Sequence, residues 1–125
     1  MSVKTGRASK SGFHVDNTRP PDSGTVILIT RGPPRKWVDK DEYIKILSPL
    51  SHTKNRWLGS KKTEADKKRY LNEFLPKMKQ AEELKAIEEL RQRVKDGETI
   101  TLLCYCPEED FCHRDIIKSM IENDK

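Results

Sequence analysis

All three cysteines of the chain lie in one short stretch near its carboxyl end, and a histidine and an arginine follow directly. The stretch runs from Cys104 through Cys106 and Cys112 to His113 and Arg114. Thiolates are nucleophiles and metal ligands, imidazole groups transfer protons or bind metals, and guanidinium groups bind anions. These residue types therefore predict either cysteine chemistry on a small anionic ligand or a metal site.

The end of this stretch has the residues for nucleophilic chemistry. Cys112 is expected at the start of a helix, where unpaired amides and the helix dipole favour a thiolate. We interpret Cys112 as the candidate catalytic nucleophile or redox thiol, and His113 as its base or orienting partner. Arg114 is a candidate for binding a phosphate or carboxylate. The alternatives are an inert cysteine beneath the helix end, a surface histidine, and an ion pair between Arg114 and Glu109 or Asp110.

A metal site is the alternative hypothesis for the same residues. Cys104, Cys106, Cys112 and His113 offer four soft ligands, which is the usual number for structural zinc. However, the segment contains no C-x-x-C spacing, and all four ligands come from one short piece of chain. The primary prediction therefore includes no metal, and the sequence names no cofactor.

Two continuous apolar runs are expected to position these residues. Residues 25–30 and 99–105 are rich in β-branched and apolar side chains, which is typical of strands covered on both faces. We predict that they are adjacent and parallel, with a helical connection between them. A last helix is expected over about residues 112–122.

The parallel pairing predicts where a ligand would bind. The carboxyl ends of parallel strands meet at one edge of a sheet, and open α/β sheets bind ligands there. The loop after the first strand contains Arg31 and Arg35, and the loop after the second begins at Cys104. We therefore expect Arg31, Arg35, Cys104 and Arg114 to bind the ligand.

The middle of the chain is expected to be largely helical. Thr63 resembles a helix N-cap, with Asp66 three residues later. Before it, we predict a short helix from Asp39 or Asp41 to about Leu47 and an irregular linker over 51–60. After it, we predict two helices over about 63–75 and 77–95, separated near Pro76. Further strands are expected in 11–16 or 36–60, because two strands make too small a sheet.

Together these elements predict an α/β fold: a small, mostly parallel sheet flanked by helices, as in a Rossmann-like three-layer sandwich. Residues 1–23 contain few apolar side chains and are expected to be a flexible tail. Residues 24–125 are expected to form a single α/β domain.

The charge of the chain is compatible with polyanion binding. The net charge is +5 over 125 residues, and the sequence pI is about 9.1. A nucleic-acid-binding module is therefore an alternative function, with its basic surface formed by Arg35, Lys36, Lys54, Arg56 and Trp57. No stretch approaches the ~20 apolar residues of a membrane span, so no membrane partner and a cytoplasmic location are expected. The sequence does not predict the oligomeric state.

The chain resembles the bacterial and archaeal family called Domain of Unknown Function 488, from about Thr25 to Ile121. The resemblance rests on Arg31-Gly32 and Pro34-Arg35 after the first strand, Leu47-Ser48-Pro49, Trp57, Tyr70, Phe74, the strand ending in Cys104, and Cys112-His113-Arg114 before a helix. It implies a compact α/β fold with a pocket around Arg31, Cys104, Cys112, His113 and Arg114. Because that family has no established activity, the resemblance implies no substrate.

Overall fold

A four-stranded parallel sheet forms the centre of the computed structural model, which describes residues 2–7, 22–30, 34–105 and 113–122. Its strands are β1 (Ser2–Arg7), β2 (Thr25–Leu28), β3 (Glu42–Tyr43) and β4 (Thr99–Cys104), in the spatial order β1-β4-β2-β3. β2 and β4 are paired in parallel, with Thr25 opposite Ile100 and Leu28 opposite Leu103. The predicted adjacency of these two strands is confirmed.

β1 lies within the region that was expected to be a flexible tail. It pairs in parallel with β4, in a register that runs from Ser2 opposite Thr99 to Arg7 opposite Cys104. The side chain of Val3 is buried in the main core. The tail prediction is therefore wrong for these six residues. Their polar composition gives little hydrophobic signal because Val3 is the one large apolar side chain that they contain.

β3 replaces the short helix that was expected after Asp39 or Asp41. The Asp41 carboxylate accepts a hydrogen bond from the backbone N–H of Val26 at 2.8 Å, and its own N–H donates to the Val26 carbonyl at 2.8 Å. The Ile44 N–H similarly donates to the Leu28 carbonyl at 2.9 Å. Asp41 thus joins the edge of β2 rather than capping a helix, and only a 3₁₀ turn, Lys45–Leu47, follows. The strand lies within 36–60, one of the two regions expected to supply it.

Residues 51–60 are helical rather than irregular. Helix α1 (Ser51–Leu58) buries Thr53 and Trp57, which are four residues apart and so share one face. Helix α2 (Glu64–Met78) begins at Thr63, whose hydroxyl accepts from the Asp66 N–H at 3.2 Å. The reciprocal contact from the Thr63 N–H to the Asp66 carboxylate completes a capping box and confirms the predicted N-cap.

Pro76 does not separate two helices as expected. It lies in the last turn of α2, where losing one N–H leaves the rest of the helix intact. The buried side chains of Tyr70, Phe74 and Met78 follow at intervals of four residues, so the buried face continues past the proline. The break falls at residues 79–80 instead, before helix α3 (Ala81–Lys95).

The helices pack on one face of the sheet, and a loop covers part of the other. The main core combines Ile27, Ile29, Ile100 and Leu102 from the sheet segments with helical residues such as Trp57, Phe74, Met78, Ile87, Leu90, Ile117 and Ile121. Alternate strand residues, Val26, Leu28 and Leu103, pack on the opposite face against Val38 of the loop after β2. The predicted α/β fold with a small parallel sheet packed against helices is confirmed, and the described helices lie on one of its faces. Among the helices of the described segments, none is long and apolar enough to cross a membrane.

Candidate functional site at the carboxyl edge of the sheet

The segments that follow β2 and β4 contact each other, as the parallel pairing predicts. At the end of β2 the Ile29 N–H donates to the Leu103 carbonyl at 3.0 Å. Farther along, the Arg35 N–H donates to the Tyr105 hydroxyl oxygen at 3.2 Å, and the Arg35 guanidinium carbon lies 5.3 Å from the centre of the Tyr105 ring. Trp37 packs against the same ring, with 6.2 Å between ring centres. The expected convergence of the two loops is confirmed for their described parts.

A buried cysteine–arginine pair lies at this edge. Cys104, the last residue of β4, is fully buried, and its sulfur forms no disulfide. Arg114, the second residue of helix α4 (His113–Glu122), is only 1% exposed. Its Nη1 donates to the Cys104 sulfur at 2.8 Å. A buried charge is costly unless it is paired and hydrogen-bonded, so the contact with the Cys104 sulfur stabilises the guanidinium. Arg114 thus places a positive charge in the buried layer beside a cysteine.

The burial of Arg114 follows from its position on α4. Arg114, Ile117 and Ile121 are spaced three and four residues apart, so they share the face that packs on the sheet. α4 contacts β1 and β4, which directs this face toward the end of β4. A charged residue in register with an apolar stripe is a sequence signal for a buried, functional or paired charge. The sequence has this signal at Arg114, but the signal does not show that Cys104 is the partner.

His113 connects the first residue of α4 to the end of β2. It is 2% exposed, and its Nε2 lies 2.5 Å from the Ile29 carbonyl oxygen. Because a carbonyl only accepts hydrogen bonds, Nε2 carries a proton and donates it to this contact. The imidazole also meets the Phe74 ring edge-on, with 6.1 Å between ring centres. The Nε2 contact and the Phe74 ring therefore fix the position of the imidazole.

The structure brings some of the predicted site residues together and separates one from them. Cys104, His113 and Arg114 lie at the same sheet edge on the helical side. Arg35 is exposed and contacts Tyr105, whose side chain points to the opposite face from Cys104 because neighbouring strand residues alternate. Arg31, Cys106 and Cys112 lie outside the described residues.

The structure describes two of the four residues in the alternative metal-ligand set, Cys104 and His113. Within the described segments there is no group of three or more histidine, cysteine or acidic residues that could hold a metal ion. Two of the four residues in the alternative ligand set, Cys106 and Cys112, are outside those segments. A zinc site therefore stays a prediction.

Three contributors to the site were not expected from the sequence. They are the Ile29 carbonyl, the Phe74 ring and Tyr105. A backbone carbonyl has no side-chain signature, and Phe74 looks like any other core residue in a helical pattern. Tyr105 had a usable signal, because an aromatic residue immediately after a buried strand lies at the edge where ligands bind.

Fold and site together define an α/β domain with a buried cysteine–arginine pair at the carboxyl edge of a parallel sheet. A family model described as the active DUF488-N3 subclade matches residues 13–125, which is most of the chain. The chain belongs to the DUF488 family, as the resemblance indicated, and β1 precedes the matched region. No curated protein and no solved structure matches it.

Proposed function

We propose that this protein is an enzyme-like α/β domain that binds a small anionic or nucleotide-like ligand at the carboxyl edge of its sheet. The observation that supports this most strongly is the contact between the Arg114 guanidinium and the Cys104 sulfur in the buried layer. A fully buried arginine is rare unless it is paired. Positive charge and a cysteine at the end of a parallel strand coincide with the usual ligand position of open α/β sheets. The description of the matching family model as an active subclade agrees with an enzymatic role.

In this proposal the three described residues have distinct roles. Arg114 supplies the positive charge that favours thiolate and attracts an anion. His113 is a positioning residue, because its Nε2 is committed to the Ile29 carbonyl and its ring packs on Phe74. Cys104 is fully buried, and its sulfur holds the Arg114 guanidinium in place by accepting a hydrogen bond.

Cys112 remains the proposed nucleophile, and Arg31 the proposed second anion-binding residue. Cys112 immediately precedes α4 in the sequence, and the free amides of a helix start favour a thiolate. Arg31 directly follows Thr30, a buried residue two positions after the end of β2. Both placements follow from sequence position relative to described elements.

Timed alkylation with protection by phosphate tests this proposal. The folded protein is treated with iodoacetamide at neutral pH, with inorganic phosphate or with chloride at equal ionic strength, and each cysteine is quantified by mass spectrometry. Cys112 is expected to react fastest, and phosphate, but not chloride, should slow its modification several-fold. In Arg114→Gln, both the rapid modification of Cys112 and its protection by phosphate should be lost. Lys85→Gln, which changes an exposed residue of α3, should behave like the wild type.

Three results would contradict the proposal. Cys104 or Cys106 could react faster than Cys112, phosphate could fail to protect, or Arg114→Gln could leave both effects unchanged. Protection of all three thiols that is removed by a chelator would favour the zinc hypothesis instead. Because Arg114 is buried, circular dichroism must first show that the glutamine variant is folded. If it is not, Arg114→Lys keeps the charge and is expected to retain part of the protection.

A further inference from the structure

The positive charge of the chain is concentrated in one segment that contains none of the site residues. Residues 51–69 contain seven lysines and arginines against two acidic residues, a net charge of +5. This equals the net charge of the whole chain, so all other residues together are neutral. The segment comprises α1, the turn after it and the first part of α2. We name it the α1–α2 surface; its cations are Lys54, Arg56, Lys61, Lys62, Lys67, Lys68 and Arg69.

Packing between the two helices holds these cations together. The Trp57 and Tyr70 rings meet edge-on with 5.8 Å between their centres, and both are buried. Nearby, Arg56 Nη1 contacts the Glu73 carboxylate at 2.6 Å, which fixes α1 beside α2. The charges are therefore presented on a fixed scaffold.

The turn between the helices is also held in a defined shape. Lys62 has a φ of +55°, an uncommon conformation for a residue with a side chain. Its N–H donates to the Ser60 hydroxyl at 3.1 Å, and its Nζ lies 5.9 Å from the centre of the Trp57 ring. This geometry keeps Lys61 and Lys62 at the surface, where both are exposed.

Several cations of this surface are available to a partner. Lys54, Lys61 and Lys68 make no ion pair within the described residues. Arg69 is paired to Asp66 only at 3.8 Å, while its side chain is 53% exposed. Exposed pairs of this kind contribute little energy, so a stronger anion can displace them.

The form of the surface indicates an extended polyanion and not a small ligand. The cleft between the helices has a volume of about 190 Å³, and Asp66 and Glu73 contribute to its lining. These two carboxylates in the lining disfavour a small anion inside the cleft. At the start of α2 the Asp66 N–H already bonds to the Thr63 hydroxyl, and the Asp66 carboxylate lies beside it. Lysine side chains spread over two helices instead match the repeating phosphates of a nucleic-acid backbone.

We propose that the α1–α2 surface binds the phosphate backbone of nucleic acid, without reading its sequence. The exposed lysines provide phosphate contacts, which position a protein on nucleic acid but carry no sequence information. Trp57 and Tyr70 are buried against each other, so they are not open for stacking on bases. This inference is independent of the ligand site at the sheet edge.

Fluorescence anisotropy with a labelled 20-base-pair DNA duplex and a labelled single-stranded RNA of equal length tests this proposal. Between 50 and 200 mM salt, counterion release from three or more phosphates should weaken binding about 40-fold or more for the duplex and about 20-fold or more for the single strand. The triple variant Lys54→Gln, Lys61→Gln, Lys68→Gln should lose at least about tenfold in affinity at 50 mM salt. Its logarithmic salt slope should fall by about 2–3.

A matched triple variant controls for net charge. Lys45→Gln, Lys79→Gln and Lys85→Gln remove three exposed charges elsewhere and should leave affinity within about twofold of wild type. Equal losses in both variants would overturn the proposed surface. Absence of salt-dependent binding to both probes would overturn nucleic acid as the partner, as would binding only to vesicles containing phosphatidylserine. Five of the six lysines are exposed and Lys54 is half-buried, so the melting temperatures of both variants are measured first and should lie near that of the wild type.

Discussion

Replacement of Gly24 by alanine tests the pairing of β2 with β4. Gly24 has a φ of +66°, and a Cβ built there would lie 2.8 Å from the carbonyl carbon and the Cβ of Thr99. This crowding follows directly from the register that places Thr25 opposite Ile100. Gly24→Ala therefore combines an unfavourable backbone conformation with an overlap against backbone atoms of β4.

Two other glycines provide controls that separate these costs. Gly97 has a φ of +102° with open space around its Cβ position, so alanine there tests the conformation alone. At Gly59, which ends α1 in a right-handed helical conformation, alanine would meet only the Asn55 carbonyl at 3.4 Å. The left-handed conformation costs an alanine about 1–2 kcal/mol, and overpacking adds about 1–3 kcal/mol. We therefore expect losses of about 3 kcal/mol for Gly24→Ala, about 1 kcal/mol for Gly97→Ala and nearly none for Gly59→Ala.

Urea unfolding followed by circular dichroism at 222 nm measures this order. With a denaturant dependence of about 1.5 kcal/mol per molar urea, the midpoints of Gly24→Ala and Gly97→Ala should differ by roughly 1 M. A Gly24→Ala midpoint equal to or above that of Gly97→Ala would refute the β2–β4 register. The same result would remove the argument that the loops after these strands meet.

Two further predictions concern the stability of the sheet. Hydrogen bonds from Arg93, and then from the Thr25 side chain, lower the pKa of Glu98 from its ordinary value of 4.5. The stabilising contribution of Glu98 is therefore present above about pH 4.5 and is lost as the pH falls further. Glu98→Gln should flatten the pH dependence of the free energy of unfolding between about pH 5 and 3, and an unchanged profile would contradict this. Deletion of residues 1–7 removes β1 and the buried side chain of Val3. Because burying one valine stabilises a protein by about 2 kcal/mol, the melting temperature should fall by several degrees. An unchanged melting temperature would show that the strand adds no stability.

The strands that carry the site were predictable because their burial on both faces leaves a continuous apolar signal. β2 and β4 have that signal, and the parallel pairing of their ends then follows from topology. β1 and β3 do not have it: β1 is mostly polar, and β3 is a pair of residues whose position depends on bonds from Asp41 and Ile44 to β2. Their placement depends on partners distant in the sequence.

The composition of the site could be predicted better than its contacts. The cysteine, histidine and arginine types near the end of β4 were recognisable as a group. Which atoms meet depends on the rotation of α4, and this rotation buries Arg114 against Cys104 and turns the Nε2 of His113 toward the Ile29 carbonyl. The separation of Arg35 from Cys104 depends on the pleat of β4, which topology alone does not specify.

α1 shows a further limit of local patterns. Its sequence is basic and contains only two buried side chains, Thr53 and Trp57, so composition indicated a linker. The helix is stabilised by packing of Trp57 on Tyr70 across to α2. Tertiary contacts of this kind decide the structure of short segments with weak intrinsic preference.

The most direct test of the proposed function is a titration of ¹⁵N-labelled protein with inorganic phosphate, followed by two-dimensional NMR. Saturable shifts are expected for the amides of Cys104, His113 and Arg114 and for the Arg114 side-chain Nε–H, with smaller shifts elsewhere. Arg114→Lys should weaken the response, and sodium chloride at equal ionic strength should not reproduce it. Shifts confined to the lysines of the α1–α2 surface, with none at these three residues, would contradict an anion-binding site at the carboxyl edge of the sheet.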